Sequence, residues 1–268
     1  RGLGDVYKRQ INNMGEKRMK KGKDGVKKFT IIELLIVVSI IAIISALLLP
    51  ALNKAREKAR TITCVSRKKE CMLALFQYGS DYGMIAGITR DSKCWYNLVV
   101  TGNRPENLGY LKPEMLICPS NRYVPPGPVS FSDDQISYGM ERIAHYMEAD
   151  LLEANGAGSC FNVSRNNTWG FLLPGKVRTP SRLLLVADSA RGGHQKPWTG
   201  YQNGGGGSSF FYTYQQHERR IHLIHQERTT AGFVDGHVAS LSFSGLYYDT
   251  TNRIRYAYAQ DGTTVLNR

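Results

Sequence analysis

Near the end of the chain, His225, Asp235, Gly236 and His237 lie close together, and imidazole and carboxylate groups at that density suit a divalent metal. A metal reading would use His225, Asp235 and His237, extended by His222 or Asp188, as imidazole and carboxylate ligands. A plainer account competes with it. Asp235-Gly236 stands between apolar runs, where a glycine free to take a positive φ marks a tight turn. His225 then sits on or just before the strand entering that turn and hydrogen-bonds a backbone group. The turn already explains Asp235, so no metal and no cofactor is expected. Calcium is no better served: Asp133-Asp134 is the only adjacent acidic pair beyond the N-terminal helix, and calcium takes six to eight oxygens.

The five cysteines, at positions 64, 71, 94, 118 and 160, form no Cys-x-x-Cys, which argues against a zinc ribbon or a thioredoxin site. Cys64 and Cys71 fall on one helix face about 10 Å apart along the axis, too far for a bridge within a straight helix. Outside the cytoplasm Cys94 and Cys118 can form a disulfide, with Cys160 as competitor. The odd count leaves at least one thiol free or paired between chains. Catalysis finds no support: there is no Gly-x-Ser-x-Gly, no phosphate-cradling loop ending in Gly-Lys-Ser/Thr and no His-Glu-x-x-His. No catalytic residue is assigned, and the chain is not read as an enzyme.

These residues hang on an uneven charge distribution. The 268 residues carry a formal charge of +13, yet residues 71–268 hold eighteen basic against sixteen acidic side chains. The surplus lies in residues 1–28 (ten Lys/Arg, three acids) and 53–70 (seven Lys/Arg, two acids), on either side of an apolar segment. That is a membrane signature rather than a nucleic-acid surface, and nothing direct points to nucleic acid as a partner. From Phe29 to Leu49 the only charged residue is Glu33. Twenty-one helical residues at about 1.5 Å each span about 30 Å, enough to cross the hydrocarbon core. The basic residues before it predict a cytoplasmic N-terminus, with everything after Leu49 outside. A carboxylate at the edge of such a run implies a partner, or a side chain reaching the interface. With 42% hydrophobic and 21% charged residues, disorder of the whole chain is excluded.

The segment Phe29-Thr30-Ile31-Ile32-Glu33-Leu34-Leu35-Ile36-Val37-Val38 resembles the cleavage and methylation segment of type IV pilins and type II secretion pseudopilins. The likeness runs over residues 29–60, through Pro50 and the Ala-Leu-Asn-Lys-Ala-Arg-Glu-Lys-Ala-Arg run that follows it. It implies a prepilin peptidase cutting between Lys28 and Phe29, methylation of the new N-terminus, and Glu33 pairing with the N-terminal amine of an adjacent subunit. Lys28 departs from the pattern, since the family usually carries Gly there. The spacing of His225 from Asp235-Gly236 is similar to a His, nine residues, Asp-Gly signature found near the C-terminus of many pilin-like proteins. Weaker likenesses are Cys118-Pro119-Ser120, Ser137-Tyr138-Gly139 and Pro180-Ser181-Arg182 leading to Val186-Ala187-Asp188-Ser189.

The organisation expected is a leader over 1–28, a transmembrane or filament-core helix over 29–50, an amphipathic continuation over 51–78, and a globular α+β head over 79–268. The chain does not begin with Met; Met14 and Met19 both fit as starts, and residues 1–13 are left out of the fold reasoning. Periodicity over 55–76 assigns Ala55, Ala59, Ile62, Val65, Met72, Leu73 and Phe76 to the buried face and Lys54, Lys58, Arg67 and Lys68 to solvent. Gly79 is the expected stop and Pro50 an expected kink. Residues 140–153 read as a short helix, 123–128 and 203–209 as loops, and Ser181–Ala187, Thr229–Val234, Val238–Phe243 and Ile254–Tyr258 as strands. The pilin resemblance implies that the helix packs on a mainly antiparallel sheet. The function expected is that of a structural pilin-like subunit of a type IV pilus or a type II secretion pseudopilus, processed before Phe29 and held as a single-pass inner-membrane protein. Its partners would be the peptidase, membrane lipid before assembly, and other such subunits through the N-terminal helix; its head would be periplasmic or extracellular. The alternative is an anchored, non-polymerising binding protein whose head captures glycan or another surface ligand.

Overall fold

The computed structural model describes residues 29–88, 94–100, 109–121, 136–142, 153–157, 160–163, 170–191, 210–211, 219–260 and 264–266. The leader with Lys28, the loops at 123–128 and 203–209, Asp133-Asp134 and residues 143–152 of the expected short helix lie outside them. The chain divides into two compact units, Arg1–Leu52 and Asn53–Arg268, here called the apolar unit and the body.

Helix α1 runs Ile31–Tyr82. It begins where Thr30 and Glu33 form a capping box: Glu33 Oε2 accepts from Thr30 N at 2.8 Å and Thr30 Oγ1 at 2.9 Å, while Glu33 N donates to Thr30 Oγ1 at 3.2 Å. In the apolar unit every large apolar side chain from Ile31 to Leu52 is exposed, Val37 least at 46%. Ser39 turns its hydroxyl back onto Leu35 O at 2.7 Å, so it presents no unpaired donor on this surface. Among the described residues this is the one helix long and apolar enough to cross a membrane.

Helix α1 does not stop at Gly79. It continues to Tyr82, and Gly83, at φ +73°, supplies the left-handed residue that ends it. Gly79 serves packing instead, since a Cβ there would lie 3.2 Å from Ile85 Cγ1. The buried face in the body is Cys64, Lys68, Cys71, Met72, Ala74, Leu75 and Tyr78. Ile62 and Leu73, expected inside, are exposed, and Lys68, expected outside, is fully buried. The face is rotated from the expected one because Lys68 meets a buried carboxylate.

Among the described residues two sheets complete the body. Strands β1 (Ile85–Ile88), β3 (Phe161–Val163) and β4 (Gly170–Leu172) form one in the order β1-β4-β3. The larger contains β2 (Tyr138–Glu141), β5 (Leu184–Arg191), β6 (Phe210–Phe211), β7 (Arg219–His222), β8 (Arg228–Phe233), β9 (Val238–Ser242), β10 (Tyr256–Tyr258) and β11 (Thr264–Leu266). Its order is β11-β10-β7-β5-β2-β6, with β8 on β5 and β9 on β8. The sheet is mixed, β2 with β6 and β7 with β10 pairing in parallel and the other described pairs antiparallel. The class is therefore α+β. Met140 and Glu141, expected in a helix, belong to β2.

Strand β5 has a division of labour along its length. Leu184–Ala187 pairs with β8, whereas Ser189–Arg191 pairs with β7. Asp188 falls between the two, at the fork. Alternation on β8 separates two apolar clusters: Val234 packs with Met72, Leu75 and Leu185, while Ala231 and Phe233 pack with Leu246, Ile254 and Ala257. Leu246 lies on helix α2 (Phe243–Tyr248), which Ser242 caps by accepting from Gly245 N. Gly232 lets α1 approach the sheet. A Cβ there would sit 2.6 Å from Met72 Sδ and 2.8 Å from its Cγ, and Met72 is itself buried. Gly232→Ala is expected to destabilise the body by about 1–3 kcal/mol, measured as a lower thermal midpoint.

Candidate functional site

The body buries an unusual set of polar side chains where α1 crosses the β5 fork. Glu57, Thr61, Cys64 and Lys68 step along α1 by four, three and four residues, which aligns them on one face. Opposite them stand Cys118, Asp188 from β5, His225, and Thr229 and Thr230 from β8. Thr230 N, which would extend the β8 ladder past Ala231, donates instead to Asp188 Oδ2 at 2.7 Å. The same oxygen accepts from Thr230 Oγ1 at 2.8 Å and Thr229 Oγ1 at 3.2 Å. Asp188 Oδ1 accepts from Lys68 Nζ at 2.9 Å and from Cys64 Sγ at 3.3 Å.

Lys68 has no contact with water. Its ammonium donates to Asp188 Oδ1, to Thr230 O at 2.6 Å and to Thr230 Oγ1 at 2.8 Å, and lies 4.5 Å from the centre of the Tyr138 ring. Three acceptors match three N–H bonds, the condition under which an ammonium survives burial. Burial would push the Asp188 carboxyl up, but the charges of Lys68 and His225 and the Thr230 N–H outweigh it and hold it at about 2.

His225 sits in a two-residue hairpin turn, with His225 N donating to Arg228 O at 2.9 Å and Arg228 N to His225 O at 3.1 Å. Gln226 and Glu227, at φ +52° and +58°, are both left-handed without being glycine, a strained way to make this turn. The turn delivers an imidazole that is 2% exposed. Nδ1 lies 3.2 Å from Thr61 Oγ1 and 3.4 Å from Glu57 Oε1. Thr61 gives its own hydroxyl proton to Glu57 O at 3.0 Å, so both neighbours of Nδ1 are acceptors and the ring proton belongs there. Nε2, which carries the lone pair when the ring is neutral, faces Cys118 Sγ at 3.3 Å and Asp188 Oδ2 at 3.9 Å. Glu57 is steadied by Ser120 Oγ at 2.9 Å and Arg60 at 3.5 Å.

A thiol, an imidazole and a carboxylate in this order match the nucleophile, base and orienting group of cysteine catalysis. Cys118 and His225 are 1% and 2% exposed, so no substrate reaches the sulfur, and the arrangement supports no acyl transfer. The other property of the cluster is donor convergence. One ligand atom from each of Cys64, Cys118, Asp188 and His225 lies within 4.8 Å of all the others.

The expected site residues separate. His225 and Asp235 stand at opposite ends of β8, about 20 Å of strand apart, so the set His225, Asp235 and His237 is not a joint site. Asp235 instead accepts from His237 N at 3.1 Å and faces His237 Nδ1, and the Phe233 and His237 rings stack. Gly236, at φ +91°, holds the left-handed position of this turn. His225 does hydrogen-bond a backbone group, through its own N–H to Arg228 O, while its ring meets the side chains of Thr61, Glu57 and Cys118. The expected Cys94–Cys118 disulfide is not formed: no disulfide joins any of the five cysteines, and Cys118 points at His225. Asp188, named as an extension of the His225 set, does lie beside His225. In the apolar unit, Phe29 is 67% exposed and Glu33 is occupied by the capping box with Thr30. Lys68 escaped the sequence reading, although a lysine four residues after Cys64 and three before Cys71 on one face was its visible sign. Comparison with family models, with curated proteins and with solved structures gives no match to this chain.

Proposed function

We propose that the chain is a pilin-like structural subunit of a type IV pilus or a type II secretion pseudopilus. It would be processed before Phe29 by a prepilin peptidase and held in the inner membrane, N-terminus in the cytoplasm, until assembly. The observation that carries the reading is the apolar unit itself. A helix whose apolar side chains are exposed on every side needs lipid or other such helices around it, and its first turn carries a carboxylate. The capping box adds support, because a chain cut before Phe29 would still hold the residues that start the helix at Ile31. Before assembly the helix rests in lipid; in the filament, neighbouring subunits replace the lipid and Glu33 meets the amine of the next chain.

The same capping box favours a second reading. It gives Glu33 a local role, which a plain anchor for a glycan-binding or other surface-binding head would share. Glu33→Gln separates the two, since Gln keeps the box but removes the charge. Under the subunit reading, Glu33→Gln abolishes recovery of the chain in sheared filaments or cross-linked multimers while membrane insertion persists. Unchanged multimers would overturn the part given to Glu33, and a parent chain that forms no multimers, or keeps its leader in place of N-methylated Phe29, would leave the anchored binding protein.

A further inference from the structure

We infer that Cys64, Cys118, Asp188 and His225 form a closed structural site for a zinc-class divalent cation, which ties α1 to β5 and to the His225 turn. The inference concerns the body alone and is independent of filament assembly.

Three features point to a cation. The first is the donor set: two sulfurs, one imidazole nitrogen and one carboxylate oxygen, from four separate stretches of chain, all buried. A tetrahedral ion with bonds of about 2.0 Å to nitrogen or oxygen and about 2.3 Å to sulfur has donors roughly 3.3–3.8 Å apart. The separations of 3.3 Å from Cys118 Sγ to His225 Nε2 and 3.3 Å from Cys64 Sγ to Asp188 Oδ1 lie in that range, and all four donors lie within 4.8 Å of one another.

The second feature is the orientation of His225. Zinc-bound imidazoles characteristically give their remaining N–H to a carboxylate, and Glu57 and Thr61 occupy that place on Nδ1. Nε2, with its lone pair, faces the other three donors. Glu57 is fixed in turn by Ser120 and Arg60, as an outer-shell carboxylate must be.

The third is charge. Two thiolates, a carboxylate and a neutral imidazole carry three negative charges against the two positive charges of the ion. A buried complex left with a net negative charge is costly. Lys68, fully buried with its ammonium on Asp188, supplies the missing positive charge and brings the cluster to neutrality. Binding forms two S–metal bonds, one N–metal bond and one O–metal bond. It breaks the two S–H bonds, whose protons leave to solvent, and no electron is transferred. Four protein donors leave no open position, so the ion would be structural.

The test uses the full chain in detergent, reduced under inert gas and stripped with chelator. Zn2+ is titrated in competition with a chromogenic chelator while proton release is followed at fixed pH, and Co2+ is added separately as a spectroscopic probe. The expected result is one Zn2+ per chain with two protons released, and sulfur-to-metal charge-transfer absorption with Co2+. Cys118→Ser should abolish the charge-balanced uptake, Cys94→Ser should leave it intact, and Glu57→Gln, which keeps all four ligands, should weaken affinity 10–100-fold. No stoichiometric uptake by the wild-type chain, or uptake unchanged in Cys118→Ser, would overturn the site. So would a Cys64–Cys118 disulfide in the chain taken from its native envelope, because oxidised sulfur cannot ligate.

Discussion

Lys68→Met is expected to lower the thermal midpoint of the body by about 10 °C, from a loss of about 3–5 kcal/mol. Methionine keeps the length and the apolar contacts of the stem, so the change isolates the ammonium. What remains is a buried carboxylate with Thr229 and Thr230 still donating but without its counter-charge. Thr230 O also loses the ammonium and keeps only the longer bond from Thr229 Oγ1 at 3.3 Å among its side-chain donors. The double variant Lys68→Met/Asp188→Asn should recover most of the loss, because Asn retains an oxygen for Thr230 N without a charge to compensate. The measurement is thermal unfolding of the full chain in detergent with chelator present, followed by tryptophan fluorescence; Trp95 is fully buried and reports on the body. A midpoint within a degree or two of the parent would mean that the pair lies in water.

Ile41→Lys is expected to weaken membrane insertion by about 3 kcal/mol, roughly 100-fold in the partition. Ile41 lies near the middle of the apolar stretch and is 56% exposed. Leu73, on the same helix and 67% exposed, provides the control, because it belongs to the body. Leu73→Lys should leave insertion unchanged, as exposed leucines on a folded surface are ordinary. The readout is the fraction of chain that stays with membranes through alkaline extraction. Equal retention of Ile41→Lys and the parent would show that the apolar unit is covered by protein instead of lipid.

The parts of this fold that could be read in advance share one property: the signal is local. The apolar run, the turn at Asp235-Gly236 and the strands on either side of it follow from composition and short-range pattern, and each is present. Boundaries moved by a few residues where tertiary pairing decides them, as β5 does by running on to Arg191 along β7. The buried cluster was not legible, for a physical reason. A lysine is assigned to solvent unless its partner is known, and Asp188 is 120 residues away in sequence. Once Lys68 was placed outside, Ile62 and Leu73 were drawn inward and the helix face was turned. For His225 nearness in sequence points to Asp235 as its company, whereas strand geometry holds the two apart.

That geometry bears on how the segment from His225 to Gly236 can vary. His225 meets Thr61, Thr230 meets Lys68, Gly232 lies against Met72, and a Cβ on Gly236 would come 3.0 Å from Phe76. The strand is thus a gauge laid along the helix in the same direction, touching it at both ends. Removing or inserting one residue between those ends would exchange the two faces of β8 and displace one end by about 3.3 Å. Several intervening letters carry no such constraint, among them the exposed Arg228. The stretch is therefore held to a fixed count of residues, and a nine-residue interval between His225 and Asp235-Gly236 is the form such a limit takes when written in sequence.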